Sequence, residues 1–303
     1  NTFVPMLKTV VNQCKALPSN TKILIFGAGF SGQHIANVSR QLGAKVLCSR
    51  RELNKPGADF IFDSTKKQLP DNEVFKGVTH ILSCIPPDEN GRDPVIEQLN
   101  SVLQKMPIKW IGYLSTTGVY GDSKGNWVSE KNTPNPKQPR SQRRLECEQE
   151  WISTGLPVQI LRLPGIYGPG RSALETIIKG KYKLVDKPGQ IFSRIHIDDI
   201  AGAIMHLISL SEQGKKPNVI NISDDLPTSN IDVLRYAASL MKINLPCVEP
   251  FEKASKHMSP MALSFWQENR RVSNQYLCQN LKYSLIHPDY KSGLQECFSH
   301  LKK

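Results

Sequence analysis

Short apolar runs alternate with segments of helical periodicity through the first half of the chain. Residues 22–26 are mostly apolar and end at glycines, whereas residues 31–42 place apolar side chains every three or four positions. The first pattern is typical of a buried strand and the second of an amphipathic helix. The same criteria predict further strands at residues 45–48, 59–62, 78–85, 108–114 and 158–163, and helices at residues 93–105 and 145–153.

Strands that are separated by helices favour a parallel sheet covered on both faces. We therefore predict an α/β fold with a doubly wound parallel sheet. The second half of the chain is less regular, with helices predicted at residues 198–210 and 230–241 and a strand at residues 219–222. Residues 121–139 are rich in Gly, Asn and Pro, which predicts a loop over the carboxyl edge of the sheet.

This pattern predicts three parts of unequal size. Residues 1–20 form an N-terminal extension that precedes the first strand. The main domain and a smaller, interleaved C-terminal lobe share the rest of the chain, because no single linker divides them. We assign the main domain to residues 21–164 and 191–222, and the lobe to residues 165–190 and 223–303.

The composition narrows the class of protein. No apolar stretch among the 303 residues is long enough to cross a bilayer. The first twenty residues lack the apolar core and the small-residue cleavage site of a signal peptide. The seven cysteines have no metal-ligand spacing. We therefore expect free thiols, no metal site, no membrane contact and a cytoplasmic location.

The net charge of +12 admits two explanations. Lys and Arg are scattered and are not interleaved with aromatic residues, so a solvated basic surface is favoured over a specific nucleic-acid site. A basic surface also suits ligands that carry phosphate.

A glycine-rich turn carries the clearest chemical signal. Gly27, Ala28, Gly29, Phe30, Ser31 and Gly32 match the pattern G-x-G-x-x-G. The turn directly follows a predicted strand and opens a predicted helix, which is the context of dinucleotide binding in a Rossmann domain. Free N–H groups at such a helix start bind a pyrophosphate. The alternative is a plain strand–helix turn.

The residues after the second predicted strand bear on which dinucleotide binds. An acidic residue there would favour NAD, but this chain has Ser49, Arg50 and Arg51. Arginine can hold a 2′-phosphate through two hydrogen bonds, so we predict NADP, while Glu52 keeps NAD open. Asp63 follows the third strand and is predicted either to accept a hydrogen bond from adenine or to serve as a turn residue.

Several motifs resemble the extended short-chain dehydrogenases/reductases. The matching segments are 114–121 (LSTTGVYG), 161–170 (LRLPGIYGPG), 194–199 (RIHIDD) and 221–223 (NIS). Within that superfamily the chain resembles an atypical group of nucleoside-diphosphate-sugar epimerase-like proteins of the NAD-dependent epimerase/dehydratase family. Segments 83–88 (SCIPPD) and 127–130 (WVSE) carry this closer match.

The resemblance implies a Rossmann domain, a substrate lobe and a cleft between them that holds the nicotinamide. It also implies a small-molecule substrate such as a nucleotide sugar, and a homodimer. Further cofactor contacts are implied for Ser83, Cys84, Ile85, Pro86 and Pro164. A substrate contact is implied for Thr117. The resemblance also places Arg162, Arg171 and Arg194 near the cleft, where they either bind an anionic substrate or are scattered surface charge.

The catalytic residues of the superfamily are a Ser or Thr, a Tyr and a Lys. The motif places Thr116 at the hydroxyl position, and the helical register places Arg140 and Arg144 where Tyr and Lys are expected. Arginine stays charged in proteins, so Arg140 cannot transfer the proton, although Arg144 can still donate hydrogen bonds to ribose or phosphate. Both arginines are equally explained as a solvated helix face. Tyr120 is the reserve proton donor, although packing within the loop is favoured for it.

His196, Asp198 and Asp199 suggest catalysis, but their position at a strand–helix junction favours capping and attachment of the lobe, with Asp198 or Asp199 as the N-cap. Two functions remain open. The first is an NADP-dependent epimerase, dehydratase or reductase that acts on a phosphate-bearing substrate. The second is a sensor or scaffold that binds NADP without turnover.

Overall fold

The computed structural model describes residues 4–180 and 182–301. In this part of the chain the strands are β1 (Lys22–Phe26), β2 (Lys45–Arg50), β3 (Phe60–Ile61), β4 (His80–Ser83), β5 (Trp110–Thr116), β6 (Trp127–Val128), β7 (Val158–Leu163), β8 (Gly165–Tyr167), β9 (Leu184–Asp186), β10 (Arg194–His196), β11 (Val219–Asn221), β12 (Val248–Pro250) and β13 (Arg271–Val272).

The α-helices of the same ranges are α1 (Val4–Gln13), α2 (Phe30–Gln41), α3 (Asn72–Phe75), α4 (Pro94–Leu103), α5 (Pro139–Ser153), α6 (Ala173–Lys179), α7 (Ile197–Glu212), α8 (Asn230–Met241), α9 (Phe251–Ala254), α10 (Pro260–Trp266) and α11 (Tyr290–Leu301). No helix within them is long and apolar enough to cross a membrane.

Seven parallel strands form the central sheet in the order β11-β7-β5-β4-β1-β2-β3. The strand order reverses at β1, which has β2 on one side and β4 on the other. Ligands of open α/β sheets bind at such a reversal, beyond the carboxyl ends of the strands. The predicted Rossmann-type doubly wound fold is therefore confirmed, and its topology locates the site.

Both faces of the sheet are buried because the residues of β1 alternate between two cores. Ile23 and Ile25 pack in a core with α1, α2 and α7. Leu24 and Phe26 pack in a second core with α4 and α5, which includes Trp151. Strand β1 therefore contains a continuous apolar run, which is the pattern expected for a parallel sheet that is covered on both sides.

The lobe has a core of its own. Helices α6, α8 and α11 pack around Leu174, Leu234 and Leu294. A short pairing of β6 with β13 joins the lobe-side segment to the loop at residues 121–139. Residues 121–139 are predicted to be a loop throughout, and strand β6 within them shows that this prediction is wrong at residues 127 and 128. Pairing with a distant segment produces β6, and the local sequence carries no sign of it.

Two further boundaries differ from prediction. Helix α5 begins at Pro139, six residues before the predicted start at Leu145, because Pro at the first helical position favours initiation. Strand β4 covers only His80–Ser83 of the predicted residues 78–85. In the N-terminal extension, α1 packs Leu7 and Val10 into the core beside α2 and α7.

Candidate functional site

The glycine-rich turn joins β1 to α2 with little room for side chains. Gly27 has φ +79°, and a Cβ there would lie 2.8 Å from Cγ1 of Ile85. A Cβ on Gly32 would lie 3.4 Å from the Gly27 carbonyl oxygen and from Cγ2 of Ile25, so α2 packs closely on the turn. In contrast, a Cβ on Gly29 would meet no atom within 4 Å, which leaves open space over the start of α2.

Strand β2 supports the turn through hydrogen bonds. The Gly27 N–H donates to Ser49 Oγ (2.9 Å), and the Ala28 N–H donates to the Ser49 carbonyl oxygen (3.0 Å). The Arg50 guanidinium donates through Nη1 to the carbonyl oxygens of Ala28 (2.9 Å) and Pro56 (3.0 Å). Arg50 therefore lies directly beside the turn.

Arg51 and Asp63 are close enough for their charges to interact. The Asp63 carboxylate accepts hydrogen bonds from the hydroxyl (2.6 Å) and the N–H (3.1 Å) of Thr65. The Thr65 hydroxyl is the main reason that the pKa of Asp63 falls below its usual value, and the charges of Lys66 and Arg51 add to the effect. Asp63 thus caps the 3₁₀ turn that follows it, as a turn residue does, and its contact with adenine stays a prediction.

The segment after β4 flanks the turn on its other side. The Cys84 N–H donates to the carbonyl oxygen of Phe26 (2.8 Å), which brings Ile85 against Gly27. Burial raises the pKa of the Cys84 thiol to about 12, so this thiol is not a nucleophile in the folded protein. The Ser83 hydroxyl is buried and has no hydrogen-bond partner among the described residues. Pro86 continues this segment.

A cavity of about 760 Å³ opens between the main domain and the lobe, at the carboxyl edge of the sheet. Thr116 and Thr117 at the end of β5, with Pro164 after β7, form its sheet-side wall. This volume is in the range of small-molecule sites. The other lining residues include Arg194 of β10 and, from the lobe, Tyr167, Arg171, Tyr182, Lys183, Val233, Leu234, Phe265, Arg270 and Tyr290.

Helix α5 brings both of its predicted site residues to this cavity. Arg140 and Arg144 lie one turn apart, and both line the cavity with Thr116. Arg140 Nη1 donates to Ser264 Oγ on α10 (2.9 Å), while Arg144 Nη1 donates to the Leu114 carbonyl oxygen (2.7 Å). The positions that the register assigned to the Tyr and Lys of the superfamily therefore face the cleft, as that register requires.

The predicted substrate residues Arg171 and Arg194 also line the cavity. The exposed Arg171 places its guanidinium carbon 5.4 Å from the ring centre of Phe30 at the start of α2. Arg194 is buried, and its two Nη atoms reach the Thr228 carbonyl oxygen at 3.4 and 3.5 Å. Burial lowers the pKa of Arg194 from its ordinary value, although the nearby Asp224 charge opposes that effect.

Ser141, Glu268 and Arg270 are among the cavity residues that the sequence did not predict. Arg270 Nη1 donates to Glu268 Oε2 (2.8 Å) and to the Gly121 carbonyl oxygen (3.0 Å). Ser141 lies on α5 between the two predicted arginines, with its Oγ against Gly118. Helical spacing from Arg140 and Arg144 was a usable signal for Ser141, whereas Glu268 and Arg270 reach the cleft only through the fold of the lobe.

Tyr120 lies in the core and not in the cavity lining. Its hydroxyl donates to Oδ1 of Asn221 (2.7 Å), and the Arg162 guanidinium lies 4.9 Å from its ring centre. Burial raises the pKa of Tyr120 above its ordinary value. This position favours the packing role of Tyr120 over the role of reserve proton donor. Its hydroxyl faces β11 because the 3₁₀ turn Thr117–Tyr120 folds under the end of β5.

The junction of β10 and α7 serves to attach the lobe, but its predicted N-cap is wrong. His196 is the N-cap of α7, and its Nδ1 accepts a hydrogen bond from the Asp198 N–H (3.0 Å). Asp198 and Asp199 lie inside the first turn, where carboxylates favour the positive end of the helix dipole. Asp199 accepts hydrogen bonds from the backbone N–H groups of Ile286 and His287 in the C-terminal segment.

The residues at the turn fit a dinucleotide. Gly29 offers no side-chain cap to α2, so the first N–H groups of this helix have no partner from that residue. Open space lies over the same helix start, and Arg50 and Arg171 place positive charge near it. An unshielded helix N-terminus with open space and cationic neighbours is suited to a pyrophosphate.

Residues 23–223 match the family model of the NAD dependent epimerase/dehydratase family. The chain therefore belongs to this family. Protein YeeZ of Escherichia coli strain K12 is 33% identical over 136 residues, which cover 44% of this chain and 47% of YeeZ. The chain thus matches about half the length of this curated relative.

Solved structures share the fold over most of the chain. A functionally unknown conserved protein from Silicibacter pomeroyi is 34% identical, with a TM-score of 0.83 over 92% of this chain and 98% of that one. A UDP-glucuronic acid 4-epimerase from Bacillus cereus in complex with NAD is 18% identical, with a TM-score of 0.72 over 93% and 97%. A human epimerase family protein with NADPH is 15% identical, with a TM-score of 0.69 over 92% and 99%.

Proposed function

We propose that the protein binds NADP and uses it on a small phosphate-bearing substrate, such as a nucleotide sugar, in an epimerase, dehydratase or reductase reaction. The observation that carries this proposal is the cavity that contains Thr116 and five arginines, one of which, Arg171, lies against Phe30 of the glycine turn. Fold neighbours in complex with NAD and with NADPH support a nicotinamide cofactor, and a UDP-sugar epimerase among them supports the substrate class.

The proposed cofactor site is divided between the turn and its two flanks. Backbone N–H groups after Gly29 bind the pyrophosphate, and Arg50 with Arg51 binds the 2′-phosphate. Residues 83–86 and Pro164 border the path toward the cavity. When bound, the nicotinamide supplies or accepts a hydride at the substrate carbon.

The chain's own side chains then orient the substrate. The Thr116 oxygen accepts the Gly118 N–H (3.0 Å), which leaves its O–H free to donate to a substrate oxygen. Arg140 and Arg144 keep their charge, so they bind anionic groups and do not act as proton acceptors. Thr117, Arg171 and Arg194 complete the substrate contacts of the cavity.

One observation favours the second function, an NADP-binding sensor or scaffold without turnover. Arg140 occupies the position expected for the proton-transferring Tyr, and the Tyr120 hydroxyl is held in the core by Asn221. A proton donor of the usual kind is therefore missing from the described cavity wall at that position.

The test begins with the cofactor. We expect NADPH to bind more tightly than NADH in calorimetric titrations. Arg50→Gln should lower the ratio of NADPH affinity to NADH affinity roughly tenfold, because only NADPH has the 2′-phosphate, whereas the loss of the hydrogen bonds to the turn affects both cofactors. Arg235→Gln on an exposed face of α8 is the matched control. Equal affinities of the unmodified protein for NADPH and NADH would exclude the predicted preference.

Turnover separates the two functions. The protein with NADPH or NADP⁺ is given a panel of nucleotide sugars, aldehydes and ketones, and cofactor absorbance and products are followed. Turnover that falls at least tenfold in Thr116→Val supports the enzyme, since the substrate loses an orienting hydrogen bond. Tight NADPH binding with no product from any compound supports the sensor.

A further inference from the structure

Two arginines of α5, Arg140 and Arg144, line the cavity, and neither forms an ion pair with a described carboxylate. Among the described residues, Arg140 bonds only to neutral groups of α10: Ser264 Oγ at 2.9 Å and Met261 Sδ at 3.5 Å. Arg144 bonds to a carbonyl oxygen, and its Nε is buried with no hydrogen-bond partner in the described chain. A buried donor that lacks a partner costs free energy, so the protein alone does not fully satisfy the Arg144 side chain.

The acidic residues near the cavity do not neutralise this charge. Glu268 is the only carboxylate among the described lining residues, and it is paired with Arg270. The start of α5 adds further positive potential, because its first turn has no acidic residue and Gln138 offers no side-chain cap. The α5 wall is therefore built for an anion.

The position of this wall identifies which part of a ligand it meets. Arg144 donates to the Leu114 carbonyl oxygen of β5, the strand that ends at Thr116, and Arg140 lies one helical turn away on α5. Arg171 instead lies against Phe30 at the start of α2, and Arg194 belongs to β10. A diphosphate bound between Arg171 and Arg194 would leave Arg140 and Arg144 without an anion. The substrate class of the proposed function does not by itself account for this second pair.

We propose that the substrate carries an additional acidic group, a carboxylate or a phosphate ester, at its reacting end, held by Arg140 and Arg144. This inference rests on the proposed function, since it takes the end beside Thr116 as the reacting end. The α5 positions thereby determine specificity: the two guanidinium groups select acidic substrates over neutral ones of the same shape. Bidentate guanidinium–anion hydrogen bonds supply that selection.

The test compares matched ligands on the full chain loaded with NADPH. UDP-glucuronate and UDP-glucose differ only in a carboxylate against a hydroxymethyl group. By calorimetry we expect UDP-glucuronate to bind at least about tenfold more tightly, the scale of a hydrogen bond between charged groups. Arg140→Gln and Arg144→Gln should bring the affinity ratio near one. Arg143→Gln, an exposed neighbour on α5 that does not line the cavity, should leave the ratio unchanged.

A general weakening of the site lowers the affinity for both UDP-sugars, so the ratio of the two affinities reports the effect of the acidic group alone. Arg140 is exposed, so Arg140→Gln keeps the test valid if Arg144→Gln folds poorly. Equal affinities for the two UDP-sugars, or a preference that survives both substitutions, would overturn the inference and leave the proposed function standing.

A second set of ligands separates failure of the inference from failure of the proposed function. If neither UDP-sugar binds while NADPH does, the nucleotide-sugar part of the proposed function fails. Glucuronate and glucose 6-phosphate, each against glucose, then decide the inference. Binding of either acid that depends on Arg140 and Arg144 supports it and identifies the group as carboxylate or phosphate. Binding of neither acid overturns it.

Discussion

At the scale of single residues, Gly27 meets two demands that no other residue type meets. Its φ of +79° lies in the left-handed region, which disfavours any residue with a Cβ. Its missing side chain also leaves room for Ile85, which arrives from the end of β4. The turn and the β4 segment can therefore both border the dinucleotide site.

Replacing Gly27 should separate these two demands. Gly43 also has positive φ (+98°) but a Cβ there would meet no atom within 4 Å, so Gly43→Ala reports backbone strain alone, about 1 kcal/mol. Gly27→Ala adds the clash with Ile85 and should cost more, with NADPH affinity reduced at least tenfold. Urea unfolding and calorimetry measure the two effects. Equal losses of stability in the two variants would contradict this explanation.

At the scale of elements, a buried ion pair sets where α5 lies on the sheet. Glu148 of α5 accepts two hydrogen bonds from Arg162 of β7, Nε to Oε2 (3.1 Å) and Nη2 to Oε1 (2.7 Å), and a third from the Ser115 hydroxyl of β5. Both charged side chains are almost fully buried. Since Arg140 and Arg144 belong to the same helix, this anchor also places them opposite Thr116.

Breaking this anchor should be costly. Glu148→Gln leaves the Arg162 guanidinium buried without a counter-charge, which we expect to lower the free energy of unfolding by about 3–5 kcal/mol. Glu146→Gln, exposed on the same helix, should change it by less than about 0.5 kcal/mol. Chemical denaturation checks both values. A Glu148→Gln variant as stable as the control would show that α5 is held by its apolar contacts.

At the scale of the whole molecule, a cluster of histidines and carboxylates joins the main domain to the C-terminal segment. Asp198 of α7 accepts hydrogen bonds from His34 of α2 (2.9 Å) and from His287, before α11 (2.8 Å). His196 accepts the Asp198 N–H at Nδ1, so its Nε2 carries the proton that it donates to Glu296 of α11 (2.8 Å). The helix that follows the glycine turn is thus connected to the lobe.

The protonation of this cluster makes the attachment pH-dependent. Burial favours a neutral His287, but the hydrogen bond and charge of Asp198, with Asp199 and Glu296, raise its pKa above the ordinary 6.5. Burial would raise the pKa of Asp198, but hydrogen bonds from His287 and His34 hold it well below the ordinary 3.8. The contribution of His287 to the free energy of unfolding is complete below pH 6.5 and is lost as the pH rises through the pKa of His287 in the folded protein. The contribution of Asp198 is present above pH 3.8 and is lost on acidification.

We therefore expect the His287→Gln variant to lose most stability, relative to the unmodified protein, between about pH 4 and 6.5. The difference between the two proteins should shrink as pH rises toward 9, because both then lack the charged imidazole. Thermal melting over this pH range measures it. His257→Gln, an exposed histidine of the lobe, should show no such trend. A difference that is constant with pH would mean that His287 acts by packing alone.

Local patterns were sufficient for much of the fold and for the cofactor side of the site. The β1 run, the glycine turn and the α2 periodicity lie within 20 residues of each other, so their geometry is encoded by neighbours in sequence. The predicted helix at residues 230–241 has the same bounds as α8. The helical register also carried Arg140 and Arg144 to one wall of the cavity.

The remaining features depend on contacts between distant segments. Tyr120 finds Asn221, which is 101 residues away, and only that contact shows its hydroxyl to be in the core. Arg270 and Glu268 reach the cavity because β13 pairs with β6 across the chain. His196 serves as the N-cap where a carboxylate was predicted, since Asp198 and Asp199 are engaged by the C-terminal segment.

The sequence alone determined a parallel α/β sheet and a dinucleotide-type turn, because apolar periodicity and glycine positions act over a few residues. The tertiary structure alone decided which side chains share the cavity and which are buried behind it, because each such pairing joins segments that are far apart in the chain. The unpaired charge of Arg140 and Arg144 was likewise decided by the tertiary structure, since it depends on every residue that lines the cavity and not on a single motif.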